Sequence, residues 1–144
     1  LGYYRAPAAN EASFTDDGWY RSGDNVHIHD DGSVVVMGRI KDVVIKAGEN
    51  VDCVELEEVL SQVPGVANVV VVGAPDEYLG EAVVAGIVAQ PGSEIDLELL
   101  RVAVHDAGMA NFKQPDRLLI MDRVPLTAVG KPDRKVVAEW AREA

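Results

Sequence analysis

The sequence has a single cysteine, Cys53, so an intrachain disulfide framework and a cysteine-based zinc site are both excluded. It also has no run of about 18 apolar residues, the length that a membrane-spanning helix needs. These two absences predict a soluble protein without a membrane span, in a reducing compartment for which the cytoplasm is the default.

Basic residues are scarce. The 13 Lys and Arg residues stand against 24 Asp and Glu, which gives a formal net charge of −11. Because no basic stretch offsets the long-range repulsion, we do not expect binding to nucleic acid or to an anionic membrane. A small anion can still bind where a few lysines converge, so the lysines that matter are Lys41, Lys46, Lys113 and Lys131.

The start of the sequence lacks an initiator methionine, a basic n-region and a signal-peptide core, and it opens at Leu1 in a turn-like segment. No internal repeat or low-complexity tract follows. With 144 residues the chain is long enough for one principal core and a short appendage. We interpret it as a fragment of a longer protein.

Apolar spacing and turn residues predict a β-hairpin followed by a small α+β domain. Strands at 25–28 and 33–37 flank a turn at 29–32, and charges at 38–42 then interrupt the apolar pattern. We therefore place a domain boundary near Lys41. Beyond it the pattern predicts a strand at 43–45, a helix at 52–60, strands at 66–72 and 82–89 around a loop at 74–81, a helix from 97 to 107, a strand at 117–121 and a helix at 132–142.

The predicted domain has a central, mainly antiparallel sheet flanked by helices. The strands at 66–72 and 82–89 are nearly continuous in apolar residues, which is typical of strands covered on both faces. Asp52, with Glu55 three residues on, and Asp96 are expected helix caps. In the last helix we expect three residues to face the core: Val136, Val137 and Trp140.

Three segments carry charge or glycine where folding alone does not require it. In Gly18-Trp19-Tyr20-Arg21-Ser22-Gly23-Asp24, the carboxylate of Asp24 precedes a strand and could accept hydrogen bonds from sugar hydroxyls, or Asp24 could be an ordinary turn residue. The second segment is Gly38-Arg39-Ile40-Lys41-Asp42 with Ala47-Gly48-Glu49-Asn50-Val51 beyond it. It is either functional or a charged connector and a turn in which Gly48 permits a positive φ.

The third segment is Pro125-Leu126-Thr127-Ala128-Val129-Gly130-Lys131-Pro132. A lysine behind a glycine on a mobile loop can bring a compact positive charge to a phosphate or carboxylate. The alternative is a solvated surface lysine.

Taken in order, these segments resemble the motifs of the adenylate-forming superfamily, which includes acyl-CoA synthetases, aryl-acid AMP ligases, peptide-synthetase adenylation domains and luciferases. The resemblance covers essentially the whole chain. The matching stretches are Tyr20-Arg21-Ser22-Gly23-Asp24, Gly38-Arg39-Ile40-Lys41-Asp42 with Gly48-Glu49-Asn50-Val51, and Leu126-Thr127-Ala128-Val129-Gly130-Lys131.

The resemblance implies that residues 1–40 are the tail of a large N-terminal adenylation domain and residues 41–144 are the C-terminal lid domain. Such enzymes join a carboxylic acid to ATP, giving an acyl-adenylate and pyrophosphate, and then usually pass the acyl group to a thiol. The implied cofactors are ATP with Mg²⁺, bound mainly by the N-terminal domain, and CoA or phosphopantetheine as acceptor. The implied partners are the protein's own N-terminal domain, a carboxylic acid and CoA or an acyl or aryl carrier protein.

Carried over by position, Asp24 and Arg39 resemble the residues that bind the ribose of the nucleotide, and Lys131 resembles the adenylation lysine. Lys41 matches the hinge about which the lid swings between two poses. A further set resembles the loop that lines the pantetheine tunnel in the second pose: Gly48, Glu49 and Asn50.

Other residues with functional potential receive a plainer interpretation. Lys46 lies farther from Arg39 than the lysine of some relatives does, so we interpret it as solvated. His27 and His29 have no third ligand nearby in the sequence, and no metal site is expected. Cys53 is interpreted as a small buried apolar residue rather than a reactive thiol.

Within the superfamily, residues 112–117 and 125–131 look most like stand-alone aryl-acid AMP ligases of siderophore pathways, such as 2,3-dihydroxybenzoate-AMP ligases. Acyl-CoA synthetases of fatty-acid and aromatic-acid metabolism share nearly the same patterns. A hypothesis from another class is a free-standing, non-catalytic module that keeps the lid fold and binds a nucleotide, CoA or a carrier protein.

Overall fold

Residues 2–143 are described by a computed structural model. Contacts divide the chain into two compact units, residues 2–41 and residues 42–143. No helix in the described part of the chain is long and apolar enough to cross a bilayer.

The first unit contains one helix and one β-hairpin. Helix α1 spans Pro7–Ser13, and strands β1 (Asp24–Ile28) and β2 (Val34–Arg39) pair antiparallel. The turn between the strands is closed by the Asp31 carboxylate, which accepts a hydrogen bond from the backbone N–H of Ser33 at 2.9 Å. The predicted hairpin is confirmed, whereas the short helix α1 was not predicted.

The second unit alternates strands and helices. In chain order its elements are β3 (Val43–Lys46), β4 (Glu49–Asp52), α2 (Cys53–Leu60), β5 (Val66–Asp76), β6 (Gly80–Ala89), α3 (Leu97–Asp106), β7 (Arg117–Ile120) and α4 (Arg134–Glu143). The strands form one sheet in the order β4-β3-β6-β5, and β7 pairs with β6. Only the β6–β7 pair is parallel among the pairs in this sheet. The predicted α+β fold with a mainly antiparallel sheet is therefore confirmed.

The long hairpin of β5 and β6 lies at the centre of the second unit and is covered on both faces. One face packs Val71, Val83 and Ile87 against α2 and α3. The other packs Val70 and Val84 against α4 and the segment after β7. Because successive side chains of a strand point to opposite faces, burial of both faces requires the continuous apolar run seen in the sequence.

The helix starts follow the predicted caps. The Asp52 carboxylate accepts from the backbone N–H groups of Val54 and Glu55, and Asp96 accepts from Leu99. Glu55 does not complete a reciprocal capping box, because its carboxylate is bonded to the ammonium of Lys113.

Three predictions about elements were wrong. The loop expected at 74–81 is a tight turn, because β5 continues to Asp76 and β6 begins at Gly80. Residues 49–52 form β4, a strand that was not predicted, so the helix expected at 52–60 begins at Cys53. Helix α4 begins at Arg134, and its inward stripe is Val137 and Ala141, which leaves Trp140 40% exposed.

Candidate functional site

Asp24 and Arg39 meet at the open end of the β1–β2 hairpin, where the strand register places them opposite each other. The Arg39 Nε donates to Asp24 Oδ1 at 3.1 Å, and its Nη2 donates to the carbonyl of Ser22 at 2.9 Å. Both side chains remain accessible, with 60% of Arg39 and 31% of Asp24 exposed. The hairpin thus presents a carboxylate and a guanidinium side by side, a donor and acceptor set suited to vicinal hydroxyl groups.

The first unit has no core of its own. None of its residues for which burial is described is buried. One face of the hairpin consists of paired β-branched residues, Val26 with Val36 and Ile28 with Val34, and all four are exposed. An isolated two-stranded hairpin with an uncovered apolar face is at best marginally stable in water.

The predicted hinge residue Lys41 is the middle residue of a short 3₁₀ helix, Ile40–Asp42. Its side chain is exposed, and it is the last residue of the first unit. The next residue, Asp42, already belongs to the second unit and leads directly into β3.

Strand β3 contacts both strands of the β5–β6 hairpin, with Val44 against β5 and Lys46 paired with β6. Val44 packs so closely on Gly73 of β5 that a Cβ atom at Gly73 would lie 3.3 Å from Val44 Cγ2. At the far end of β3, Lys46 pairs with Gly80 at the start of β6. Gly73 therefore has a packing role, since its missing side chain lets β3 approach.

The predicted tunnel residues lie where β3 turns into β4. Ala47 and Gly48 form the turn, with φ of +50° and +87°, as a two-residue hairpin turn of type I′ requires. Glu49 and Asn50 are the first two residues of β4, and both are exposed. The backbone N–H of Ala47 donates to the carbonyl of Leu79 at 2.7 Å, which joins the turn to the tip of the β5–β6 hairpin.

Lys46 is not the solvated lysine expected from the sequence. Its Nζ lies 2.7 Å from Asp116 Oδ1 and donates to the carbonyl of Gln114 at 3.0 Å, and its side chain is only 11% exposed. Lys113, one of the lysines considered for binding a small anion, binds the Glu55 carboxylate instead. Sequence inspection missed the pairing of Lys46 with Asp116, because no periodic pattern links residues so far apart.

Lys131 lies in a closed turn just before α4. The Thr127 N–H donates to the Lys131 carbonyl at 2.8 Å, the Gly130 N–H donates to the Thr127 carbonyl at 2.9 Å, and Gly130 has a φ of +79°. The Lys131 side chain is exposed, and in the described part of the chain no carboxylate lies within ion-pair distance of its ammonium. A well-defined backbone therefore carries a cation that is available to an anion outside this chain.

Arg134 fixes the start of α4 beside the start of β3. Its guanidinium binds both oxygens of Glu57, and its Nε lies 3.8 Å from Asp42 Oδ2. Burial alone would lower the pKa of Arg134, but hydrogen bonding to the Glu57 carboxylate raises it, so the charge is retained. Arg134, three residues after Lys131, is thus tied to the start of β3, whereas the 47–50 turn follows the end of β3, a four-residue strand about 13 Å long.

The burial of Cys53 decides between the two interpretations of its thiol. Cys53 is 3% exposed, and burial raises the pKa of its thiol to about 12, as the interpretation of an apolar core residue requires. Among the described residues no group of three or more His, Cys, Asp and Glu side chains could hold a metal ion.

Comparison with known proteins links this geometry to a family. Residues 55–131 match the family model described as the AMP-binding enzyme C-terminal domain. A salicylyl-CoA synthase / salicylate adenylyltransferase from a Streptomyces species is 44% identical over 141 residues, covering 98% of this chain and 26% of that protein. The 2,3-dihydroxybenzoate-AMP ligase of Bacillus subtilis is 39% identical and covers 99% of this chain and 26% of that protein.

A crystal structure of ATP-bound MatB from Rhodopseudomonas palustris superposes with a TM-score of 0.86 at 34% sequence identity. The match covers 99% of this chain and 28% of the MatB chain. The chain thus spans about a quarter of the length of the relatives that it matches.

Proposed function

This chain belongs to the AMP-binding, adenylate-forming family of ligases, and from that premise we propose that it is the C-terminal part of an enzyme that activates a carboxylic acid with ATP. In the first half-reaction a carboxylate oxygen bonds to the α-phosphorus and pyrophosphate leaves. In the second, a thiol takes the acyl group and AMP leaves. The observation that carries the proposal is the exposed ammonium of Lys131, on a closed turn within a lid-type domain, for which the described residues offer no ion-pair partner.

We propose that residues 1–40 complete the large N-terminal adenylation domain and that residues 41–144 are the lid. The uncovered apolar face of the β1–β2 hairpin supports this assignment, because those valine and isoleucine side chains need a covering layer that the described residues do not supply. In this arrangement the Asp24 carboxylate accepts hydrogen bonds from the ribose hydroxyls of the nucleotide. Arg39, already bonded to Asp24, donates to the same hydroxyls.

In the proposed first pose, Lys131 binds the substrate carboxylate and the α-phosphate and offsets the negative charge that develops as the adenylate forms. In the second pose the lid turns about Lys41, and Gly48, Glu49 and Asn50 line the channel of the acceptor thiol. The attachment of Arg134, close to Lys131 in the chain, at the start of β3 and of the 47–50 turn at its end supports this division of labour, since one small domain can then present one loop at a time.

ATP is the proposed nucleotide, with its Mg²⁺ held by the N-terminal domain, and the proposed acceptor is CoA or the phosphopantetheine of a carrier protein. The proposed acid is aromatic, of the hydroxybenzoate class, because the similar curated proteins include salicylate and 2,3-dihydroxybenzoate ligases. The cytoplasm is the proposed compartment, since the one cysteine is a buried free thiol.

Acid-dependent exchange of pyrophosphate into ATP tests the proposal. The complete enzyme that contains this chain is expected to catalyse exchange with salicylate or 2,3-dihydroxybenzoate, and poorly with aliphatic acids of similar size. The 144-residue chain alone is expected to show none, because a lid cannot position two substrates. Exchange by the chain alone would refute its role as a lid.

The non-catalytic alternative makes a different prediction in the same assay. A binding module gives no exchange in any context, yet it retains measurable affinity for a nucleotide, for CoA or for a carrier protein. Absence of exchange from the complete protein with a broad panel of acids, together with such binding by the 144-residue chain, would replace the ligase proposal with that alternative.

A further inference from the structure

The ammonium of Lys46 is held inside the second unit. It lies 2.7 Å from Asp116 Oδ1 and 3.0 Å from the Gln114 carbonyl, and 11% of its side chain is exposed. Lysine is among the residues least often buried, and its burial normally requires a partner charge. Because two of its three donors already have partners within the protein, Lys46 is poorly placed to bind a substrate directly.

Asp116, the partner of Lys46, is itself fixed to the central hairpin. Its Oδ2 accepts from the Val83 N–H at 2.8 Å, and its own N–H donates to the Val83 carbonyl at 2.8 Å. From α3, Arg101 Nε donates to the carbonyl of Pro115 at 3.0 Å. Asp116, the residue immediately before β7, therefore has its carboxylate held against β6.

The Lys46 ammonium anchors a turn that has few other attachments. Strand β3 pairs with β6 at a single position, Lys46 with Gly80. In the described part of the chain, two other backbone groups tie this region to the central hairpin: the Ala47 N–H donates to the Leu79 carbonyl at 2.7 Å, and the Ile45 N–H donates to Glu81 Oε2 at 2.8 Å. Beyond the turn, Glu49 and Asn50 are exposed. The Lys46–Asp116 ion pair is therefore one of a small number of contacts that set the direction in which the turn points.

We propose that Lys46 is a positioning residue for thioester formation, acting through Asp116 on residues 47–50. The inference rests on the proposed function, in which these residues line the channel of the acceptor thiol. Loss of the anchor displaces the channel wall, and a displacement of about 1 Å can lower a rate by about 10²-fold. Adenylation keeps its geometry, because Lys131 is held by its own turn through Thr127, and none of the hydrogen bonds or ion pairs of Lys46 and Asp116 in the described part of the chain involves that turn.

The kinetic test uses Lys46→Met in the complete enzyme, since methionine keeps most of the apolar stem and removes the charge. With preformed acyl-adenylate and the thiol acceptor, kcat/KM for the thiol is expected to fall about 10- to 100-fold. Pyrophosphate exchange is expected to stay within about two-fold. The matched control is Lys135→Met, which removes an exposed lysine of α4 and is expected to leave both assays unchanged.

Asp116→Asn provides an independent variant, because its amide oxygen can still accept from the Val83 N–H. It is expected to reproduce the selective loss. The double variant is expected to be no worse than Lys46→Met alone, since both changes break one interaction. Additive losses would show that the two residues act separately and would overturn the proposal.

Hydrogen exchange in the 144-residue chain tests the anchor without relying on catalysis. In Lys46→Met the amide of Ala47 is expected to exchange at least about tenfold faster, while the amides of β5 keep their native protection. Unchanged exchange at Ala47 would refute the positioning role.

The two tests separate failure of this inference from failure of the proposed function. If the native complete enzyme forms acyl-adenylate and Lys46→Met slows both half-reactions equally, or neither, the positioning role is wrong and the ligase assignment stands. If the native complete enzyme forms no acyl-adenylate, the proposed function falls, and the role in thioester formation falls with it.

Discussion

The guanidinium of Arg134 and the carboxylate of Glu57 form a two-point ion pair, with N–O distances of 2.5 and 2.7 Å, that also closes the open edge of β5. Glu57 Oε1 accepts from the Val71 N–H at 2.6 Å, and Arg134 Nη1 donates to the Val71 carbonyl at 2.7 Å. Because β5 pairs with β6 on one side only, these backbone groups have no partner strand. Two side chains from α2 and α4 replace it.

Glu57→Ala is therefore expected to destabilise the second unit. The change leaves a buried N–H at Val71 without an acceptor and Arg134 without its principal partner, so the free energy of unfolding should fall by about 3 kcal/mol. Urea unfolding of the 144-residue chain measures this fall in the free energy of unfolding. The exposed neighbour provides the control, since Glu58→Ala should change stability by no more than about 0.5 kcal/mol. Equal effects of the two changes would contradict the edge-closing role.

The hydrogen bonds of the Asp76 carboxylate make the stability of the folded chain depend on pH in the acidic range. Its carboxylate accepts from the backbone N–H groups of Leu79 and Tyr78 and from Arg117 at 2.6 Å, and these bonds, the backbone ones foremost, hold its pKa below the ordinary value. A lowered folded-state pKa means that the stabilisation is complete above the unfolded-state pKa of about 3.9. It is lost as the pH falls through the lower, folded-state value.

We expect Asp76→Asn to be less stable than the native chain at pH 6, and the difference to shrink as the pH falls below about 4. Urea unfolding at several pH values between about 6 and 2.5 measures the difference. The control, Glu77→Gln, removes an exposed carboxylate of the same turn for which the structure gives no hydrogen bond, and its curve should parallel the native one. A gap for Asp76→Asn that persists unchanged at low pH would exclude the linkage.

The sequence correctly predicted those structural features that depend on residues close together in the chain. The two caps at Asp52 and Asp96 and the two-face burial of β5 and β6 follow from residue type and spacing, and the structure confirms them. Strand β4 was missed because its pairing depends on a turn with positive φ at Ala47, an alanine in a conformation that favours glycine. Trp140 was misassigned because α4 buries a narrower stripe than its apolar content suggests.

In the candidate site, too, the sequence identified single residues, whereas contacts between distant residues appeared only in the structure. Sequence motifs singled out Asp24, Arg39 and Lys131, and the structure adds that the first two touch and that the third is exposed. The roles of all three remain predictions. The anchors Lys46–Asp116 and Glu57–Arg134 were not predicted, since each joins residues that only the folded sheet brings together.

Lys41→Pro in the complete enzyme tests the hinge. Proline fixes φ near −65° and removes a backbone N–H where the proposed swing requires the chain to change conformation. One half-reaction should be retained and the other should fall by about tenfold or more, because the lid is held in one pose. Lys41→Ala, which leaves φ free, should retain both. Equal loss of both half-reactions in a variant that unfolds like the native enzyme would argue against a hinge at this residue.

Lys131→Ala in the complete enzyme tests the proposed catalytic residue. The lysine is exposed on a closed turn, so its removal should leave the fold intact, and thermal unfolding should match that of the native enzyme. Adenylation from acid and ATP should fall by about 10²- to 10³-fold, by analogy with loss of one oxyanion donor. Pyrophosphate exchange measures this rate.

The second half-reaction shows whether that loss reports the charge of Lys131 or general damage to the enzyme. With preformed acyl-adenylate and the acceptor thiol, Lys131→Ala should form thioester at nearly the native rate, because in the proposed second pose the lid presents residues 47–50 and leaves Lys131 in solvent. A solvated surface lysine predicts native rates in both assays, and a folding defect predicts loss in both. Lys131→Arg separates charge from geometry, since it keeps a cation but not a compact ammonium, and it should recover only part of the exchange rate. Native pyrophosphate exchange by Lys131→Ala would rule out the catalytic assignment.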